Sequence, residues 1–224
     1  MFQKYTETLS IKKEGVRSHW ECLRDLTNEF KEGVFIFEIS IPAKDNPAIR
    51  TVQTFKVKII ATHKQIVFYE LSERKNKKVD YEWEAYDASI ERYKNDDKFN
   101  SLRNAFKTLF KVDINENELF IINYVYGEHC GFAGINPQGR QQIDDLVARK
   151  DKHELLKWLK STNTEKQIYA VDGLYQISRL GVKFTDDELK MIKFVKGKKG
   201  TINSCSGCFH TQQLISSVTK QFNF

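Results

Sequence analysis

The sequence predicts an α+β protein, in which an N-terminal helix and an antiparallel sheet with one packed helix precede an all-helical C-terminal module. Three observations support this. Period-two alternation of apolar residues is confined to the first half of the chain, one amphipathic helical stretch follows it, and helix start and stop residues dominate the second half. The glycine-bearing segment 127–134 divides the chain into an α+β domain of residues 1–134 and a helical module of residues 135–224.

The first predicted element is a helix over residues 17–31, followed by Gly33 as a stop. The apolar residues that recur in it at helical spacing are Trp20, Leu23, Leu26 and Phe30. Period-two alternation then predicts an antiparallel meander of four strands, over residues 34–41, 51–60, 65–71 and 79–86. A helix over residues 98–111 packs an aromatic stripe on this sheet, and a buried strand over residues 119–126 ends at Gly127.

Four further helices are predicted from their capping signals, with a last helix over residues 212–222. The start signals are Asn136 followed by Pro137, and capping-box patterns that begin at Asp151, Thr164 and Thr185. The stop signals are Gly181 and Gly197. Helices joined by such short connections pack as antiparallel neighbours.

Residues 155–195 resemble one unit of a HEAT-type helical repeat. The leucine-rich segment 155–161 is similar to that family's first helix, and the alanine-containing segment 165–174 is similar to its second. The resemblance implies a protein-contact scaffold. It covers this unit alone, without a second copy at a fixed period, so a generic helical hairpin is the alternative.

The composition of the chain limits the classes of function that it can have. Its 224 residues carry a formal net charge of +6, with 40% hydrophobic and 29% charged residues. The densest basic runs, residues 74–78 and 196–200, fall between periodic segments and indicate solvated loops, so there is no strong nucleic-acid signal. The sequence shows neither a membrane-spanning run nor a secretory leader, which predicts a cytoplasmic protein. The alternative is a periplasmic or surface-exposed protein whose signal peptide has been removed.

Cys130, Cys205 and Cys208 form the candidate thiol site. Cys205 and Cys208 lie shortly before the predicted last helix, and a helix N-terminus lowers the pKa of a thiol, as in dithiol oxidoreductases. However, no βαβ unit surrounds the motif, so a thioredoxin fold is not indicated. The alternative is a local Cys205–Cys208 disulfide, or inert thiols, in a loop that docks the last helix.

The same residues provide a candidate zinc site. Cys205, Cys208 and His210 supply three ligands, and Cys130 or His129 supplies the fourth. The ligand count suits tetrahedral zinc, although structural sites more often pair two knuckles. The sequence otherwise predicts a protein without a cofactor, and zinc is the alternative.

The segment 127–134 joins a predicted strand to a predicted helix. Such junctions bind anions or display a nucleophile, although neither the phosphate-binding loop nor the dinucleotide fingerprint is complete here. Cys130 is a candidate nucleophile with His63, His153 or His210 as its base. The alternative is a domain junction at which glycines let the chain turn.

These observations favour a non-enzymatic binding or scaffold protein that contacts a protein partner through its helical module. The alternative is a thiol- or zinc-dependent enzyme or redox protein that uses the Cys130 loop and the Cys205/Cys208 pair. The sequence identifies no complete catalytic set, and it leaves the oligomeric state open.

Overall fold

The chain begins with a five-stranded antiparallel sheet in the order β1-β2-β3-β4-β5. A computed structural model describes residues 15–46 and 48–224. The strands are β1 (Val16–Asp25), β2 (Lys31–Pro42), β3 (Arg50–Ala61), β4 (Ile66–Val79) and β5 (Glu82–Lys94). The strands predicted over residues 34–41 and 51–60 are confirmed within β2 and β3, and the strand predicted over 65–71 is confirmed from Ile66 onward in β4.

The predicted N-terminal helix over residues 17–31 is wrong, because this segment forms β1 and the turn into β2. Cys22, Arg24 and Leu26 are all buried, which is the period of a strand. The helical spacing arose because a bulge after Trp20 and the turn beyond β1 displaced the apolar residues from strict alternation. Gly33 is not a helix stop. It lies in β2, where a Cβ would come within 2.5 Å of the Trp20 ring.

The predicted strand over residues 79–86 is a hairpin turn with part of two strands. Asp80 and Tyr81 separate β4 from β5, and both have positive φ, 45° and 70°. Two consecutive residues with positive φ are typical of the tight turns that match the twist of a hairpin. The alternation across this turn therefore came from the end of one strand and the start of the next.

Six helices follow the sheet in the described part of the chain, together with a 3-10 turn at Glu116–Glu118. They are α1 (Asp96–Phe110), α2 (Gln138–Ala148), α3 (Lys152–Leu159), α4 (Thr164–Arg179), α5 (Asp186–Gly197) and α6 (Ile215–Thr219). The predicted helix over residues 98–111 is confirmed as α1. The predicted last helix over residues 212–222 is limited to α6.

The helix starts follow local capping chemistry. Asp151 caps α3, and Thr185 forms a complete capping box with Glu188 at the start of α5, as predicted. For the other two helices, the observed cap lies one residue from the predicted cap. Asn163 rather than Thr164 caps α4, and Pro137 rather than Asn136 precedes α2.

The prediction of an all-helical C-terminal module is wrong, because the module contains two strands of a second, three-stranded sheet. β6 (Tyr126–Cys130) runs parallel to β7 (Thr201–Gly207), which pairs antiparallel with β8 (Phe209–Leu214). The predicted buried strand over residues 119–126 is also corrected, since only Tyr126 belongs to β6. Polar residues such as Asn203 and Ser204 gave β7 no apolar alternation, and the CxxC motif lies at the tip of the β7–β8 hairpin rather than in a loop that docks the last helix.

Helix α1 belongs to two hydrophobic cores. Phe99 and Leu102, in its first half, pack against the five-stranded sheet. Phe106 and Phe110, in its second half, pack into the core of the later helices. One helix thus connects the sheet to the helices and to β7, whose Ile202 lies in the same second core.

Candidate functional site

The predicted thiol residues meet at one end of the three-stranded sheet. Cys130 ends β6 and Cys205 lies in the neighbouring β7, where they form a disulfide with their Cα atoms 5.5 Å apart. Parallel pairing of these strands brings the two cysteines together across a sequence separation of 75 residues. The predicted alternative of a local Cys205–Cys208 disulfide is therefore wrong in its pairing.

Two loops project from this disulfide, and together we call them the disulfide rim, residues 130–135 and 205–210. The amide of Gly131 donates to the Gly207 carbonyl at 2.7 Å, and the amide of Cys130 donates to the Ile135 carbonyl at 2.9 Å. These hydrogen bonds hold both loops to each other and to β6. The rim is fixed by one covalent bond and by backbone pairing on both sides.

A close approach of backbone lies beneath the rim. A Cβ on Gly127 would lie 2.2 Å from the Cys205 carbonyl oxygen, so this contact requires glycine. The Gly127 amide donates to the buried Tyr169 hydroxyl at 2.9 Å, and that hydroxyl donates to the Val125 carbonyl at 3.0 Å. Burial raises the pKa of Tyr169 to about 12. The phenol therefore stays protonated, and it supports β6 from helix α4.

A buried salt bridge extends this support. Arg140 of α2 pairs with Asp172 of α4, and its guanidinium lies 3.4 Å from Glu128 on β6. Burial and the Asp172 carboxylate raise the pKa of Tyr126, whose ring packs 4.7 Å from that of Tyr169. Both tyrosines therefore stay neutral, and these charges hold the rim against the helices.

Cys208 and His210 occupy the exposed hairpin of the rim. Cys208 lies in the turn between β7 and β8 and, among the described residues, is an exposed cysteine outside any disulfide. His210 pairs with Cys205 across the β7–β8 ladder, and its side chain is exposed. The first cysteine of the CxxC motif therefore lies in a disulfide, and the second lies in a turn.

The predicted zinc ligands are not assembled as a zinc site. Cys130 and Cys205 are bonded to each other, so neither sulfur is a thiolate ligand in this state. Across residues 15–46 and 48–224, no group of three or more His, Cys, Asp and Glu side chains is placed to hold a metal ion. The exposed His129 donates its backbone amide to the Asn136 side chain at 2.9 Å.

The predicted pairing of a Cys130 nucleophile with a histidine base is not seen either. Cys130 is in a disulfide, and His63 lies in the turn between β3 and β4. His153 is exposed on α3, which belongs to the helical module, and His210 faces solvent on β8. The segment 127–134 functions instead as a strand end and a loop that lead into α2.

Sequence reasoning missed a buried ion cluster, formed by Arg24, Glu32, Glu165 and Lys198. The Arg24 guanidinium contacts Glu32 at 2.7 Å and Glu165 at 2.6 Å, and all three side chains are fully buried. Glu165 also accepts the Asn203 amide of β7 at 3.1 Å. The cluster therefore connects β1, β2, α4 and β7.

Lys198 lies beside these charges. Its ammonium donates to the Gln167 side chain at 2.6 Å, and burial together with the neighbouring Arg24 lowers its pKa to about 7. A buried charge without a partner costs free energy of unfolding. Four ionisable side chains buried together must therefore be placed so that they pair with one another or with polar groups. The alternate burial of Cys22, Arg24 and Leu26 is visible only in the structure, so no pattern in the sequence indicated the cluster.

A polar cleft of about 380 Å³ opens between β1 and the β7–β8 hairpin. His19, Glu21, Asn203 and His210 are among its lining residues. His19 contacts Glu21 at 2.7 Å. His210 belongs to the rim and also lines this cleft, so the cleft is a polar surface next to the exposed side chains of the rim.

No protein-family model matches the chain, and no curated protein or solved structure is significantly similar to it.

Across the described residues, none of the helices combines the length and the hydropathy needed to cross a membrane.

Proposed function

We propose that the protein is a non-catalytic binding protein, whose disulfide rim holds an apolar segment of a partner protein. One observation carries the proposal. Phe132 and Phe209, one on each loop of the rim, are 99% and 75% exposed. Contiguous exposed apolar patches mark interaction surfaces, and the proposal treats these two phenylalanines as one such patch.

The rim is rigid before any partner binds. The Cys130–Cys205 disulfide and the Gly131–Gly207 hydrogen bond restrain the two loops that carry the phenylalanines. Restraint of a binding surface in its bound shape reduces the entropy lost on association. The disulfide therefore supports binding as well as folding.

The helical module contributes in a different way from the one predicted. The apolar stripes of α2, α4 and α5 are buried in one common core, so they support the rim instead of forming an open groove. The HEAT-like resemblance of residues 155–195 also favours a protein-contact role. We assign the contact to the rim because its phenylalanines are more exposed than the large apolar residues of the helices.

A random peptide library displayed on phage tests this assignment. We expect apolar peptides to be enriched on the wild-type chain and to bind a Phe132→Ser/Phe209→Ser variant at least about tenfold more weakly. The matched control is Leu180→Ser, an exposed apolar residue at the end of α4, which should leave affinity unchanged. Failure to enrich peptides, or equal loss in both variants, would overturn the proposal.

A second candidate function is thiol–disulfide exchange, favoured by the exposed thiol of Cys208 three positions after the disulfide-bonded Cys205. A thiolate of a partner dithiol would attack one sulfur of the disulfide and release the other cysteine as a thiolate. The second partner thiol would then displace the protein from the mixed disulfide. The partner leaves oxidised by two electrons, and the protein keeps two reduced cysteines.

Reduction by a small dithiol peptide tests this second function. If Cys208 takes part, a Cys208→Ser variant should exchange severalfold more slowly at equal stability. A matched Ser206→Ala change in the same hairpin should have no effect. Equal rates in all three proteins would show that Cys208 takes no part in exchange, and a disulfide that resists the dithiol peptide altogether would overturn this second function.

The disulfide also bears on location. Disulfides persist in oxidising compartments and are rare in the reducing cytosol. The Cys130–Cys205 pair therefore supports the periplasmic or surface-exposed alternative over the cytoplasmic prediction.

A further inference from the structure

Each cysteine of the disulfide faces a glycine across the parallel β6–β7 ladder. Cys205 pairs with Gly127, and Cys130 pairs with Gly207. At Gly127 the space is filled, since a Cβ there would lie 2.9 Å from the Cys205 sulfur and 2.2 Å from the Cys205 carbonyl oxygen. At Gly207 the space is open, and a Cβ would meet no atom within 4 Å apart from its chain neighbours. The two ends of the same disulfide therefore differ in their surroundings.

This difference determines which sulfur an external thiol can reach. Cys205 is 4% exposed, and the β6 backbone at Gly127 lies against its sulfur. Cys130 is half-buried at the end of β6, and the next residue, Gly131, also has open space where a Cβ would lie. Access to the sulfur is one of the factors that set the rate of disulfide exchange. Attack on Cys130 is therefore favoured, with Cys205 as the leaving sulfur.

A leaving sulfur in the interior needs a counter-charge. The departing Cys205 takes the electron pair of the broken bond as a thiolate, and a buried charge without a partner is costly. His210 is the cross-strand partner of Cys205 in the antiparallel β7–β8 ladder. Residues directly opposite each other project from the same face of a sheet, with their Cβ atoms about 5 Å apart. A protonated His210 therefore lies beside the charge that forms on Cys205.

The surroundings of His210 suit this role. Its side chain is exposed and lines the polar cleft between β1 and the β7–β8 hairpin. The titratable groups that line the cleft with it are His19 and Glu21 of β1, which contact each other at 2.7 Å. The Glu21 carboxylate thus has a partner of its own, and the His210 ring lies on the face that carries the disulfide.

We propose, on the basis of the thiol–disulfide exchange described above, that a dithiol attacks the rim at Cys130 and that Cys205 leaves with its negative charge stabilised by His210. One thiolate of the dithiol bonds to the Cys130 sulfur as the Cys130–Cys205 bond breaks. The second thiolate then bonds to the first and releases Cys130 as a thiolate. The dithiol is oxidised by two electrons to a disulfide. Its two protons pass through solvent to the two reduced cysteines.

Mapping of the mixed disulfide tests the site of attack. The folded Cys208→Ser chain is treated with a limiting amount of a peptide that carries one thiol, and the released cysteine is trapped with a maleimide. Mass spectrometry should find the peptide on Cys130 and the maleimide on Cys205. The reverse assignment overturns this inference alone, whereas a disulfide that resists thiols altogether overturns it together with the exchange function.

A charge series at position 210 tests the role of the histidine. At about pH 6, where a free imidazole is largely protonated, His210→Lys should exchange at close to the wild-type rate. His210→Gln should be about threefold slower and His210→Glu slower again, because the charge near the thiolate is first removed and then reversed. The control is His153→Gln, at an exposed histidine on α3, which should leave the rate unchanged. Three variants slowed alike would indicate a structural role for His210 and overturn the inference, as would rates equal to the wild type in all three.

Discussion

The two edges of the five-stranded sheet are treated in opposite ways. The β1 edge is covered, since the Asp25 amide donates to the Lys199 carbonyl at 3.0 Å and the Gln212 side chain donates to the Trp20 carbonyl at 2.6 Å. Gly200, with a φ of +115°, lies so close to β1 that a Cβ would be 2.1 Å from the Leu23 carbonyl oxygen. Across the described chain, the β5 edge has no such cover.

The two edges of the sheet therefore differ in burial: one is part of the protein interior and the other lies in solvent. Where β1 meets β7, the chain buries an arginine, two glutamates and a lysine and places the disulfide two residues beyond Asn203. Where β5 ends the sheet, charged and aromatic side chains remain in solvent. Substitutions at the covered edge should therefore lower stability more than substitutions at the open edge.

The largest expected effect is at Arg24. Arg24→Ala leaves Glu32 and Glu165 buried without their cation, which should cost about 3–5 kcal/mol of unfolding free energy. The matched change on the open edge is Arg92→Ala, which should stay within about 0.5 kcal/mol. Urea unfolding measures both. Equal losses would remove the distinction between the edges.

The disulfide should give the next largest effect. It closes a sequence separation of 75 residues, so its loss should destabilise the chain by up to about 4 kcal/mol through the entropy of the unfolded state. Urea unfolding of a Cys130→Ala/Cys205→Ala variant measures this. Cys208→Ser is the control and should resemble the wild type. A double variant as stable as the wild type would show that backbone pairing alone fixes β7.

Lys198 should make stability depend on pH. Burial lowers its pKa to about 7 in the folded chain, whereas a free lysine has a pKa of about 10.4. Between these values the unfolded chain holds a proton that the folded chain has released. Stability should therefore rise with pH across this window and level off below it, since both states are then protonated.

The test compares wild type with Lys198→Met by urea unfolding from pH 6 to 10. The stability of the wild type relative to Lys198→Met should rise with pH, with a slope of at most about 1.4 kcal/mol per pH unit. The charged groups that act on Lys198 are Arg24, Asp25, Glu32 and Glu165. Parallel curves for the two proteins would contradict the lowered pKa.

The smallest expected effect is at Gln212. Its amide donates to the Trp20 and Glu21 carbonyls at 2.6 Å and 3.0 Å, so Gln212→Ala should cost about 1 kcal/mol. Amide hydrogen exchange should also accelerate in β1 and stay unchanged in β5. Faster exchange in both strands would show that the loss is global and unrelated to edge cover.

The sequence predicted those elements whose burial follows one clean period. β3 alternates Phe55, Val57 and Ile59 against lysines, and α1 carries its aromatic stripe at helical spacing, so both were found. The strand β1 was not found, because its bulge and the buried Arg24 interrupt the period-two alternation of apolar residues. An arginine in a fully buried position looks polar in sequence, and only its partners from distant segments explain it.

The candidate site was predictable in its residues and unpredictable in its pairing. Cys130 and Cys205 were both identified, yet they meet only because β6 and β7 run parallel after an intervening helical module. The CxxC spacing favours a disulfide between Cys205 and Cys208. The short polar strand β7 shows no apolar alternation, so nothing in the sequence indicated a strand that would bring Cys205 to Cys130. The Glu165–Arg24 contact depends on the same long-range arrangement.

The position of α1 in two cores also determines how the molecule can be divided. A fragment that ends at residue 134 would keep α1 but lose Ile168, Leu174 and the other residues that cover Phe106 and Phe110. A fragment that begins there would lack these two phenylalanines from its centre. Sheet and helices should therefore melt in a single cooperative transition, and limited proteolysis should yield no stable half.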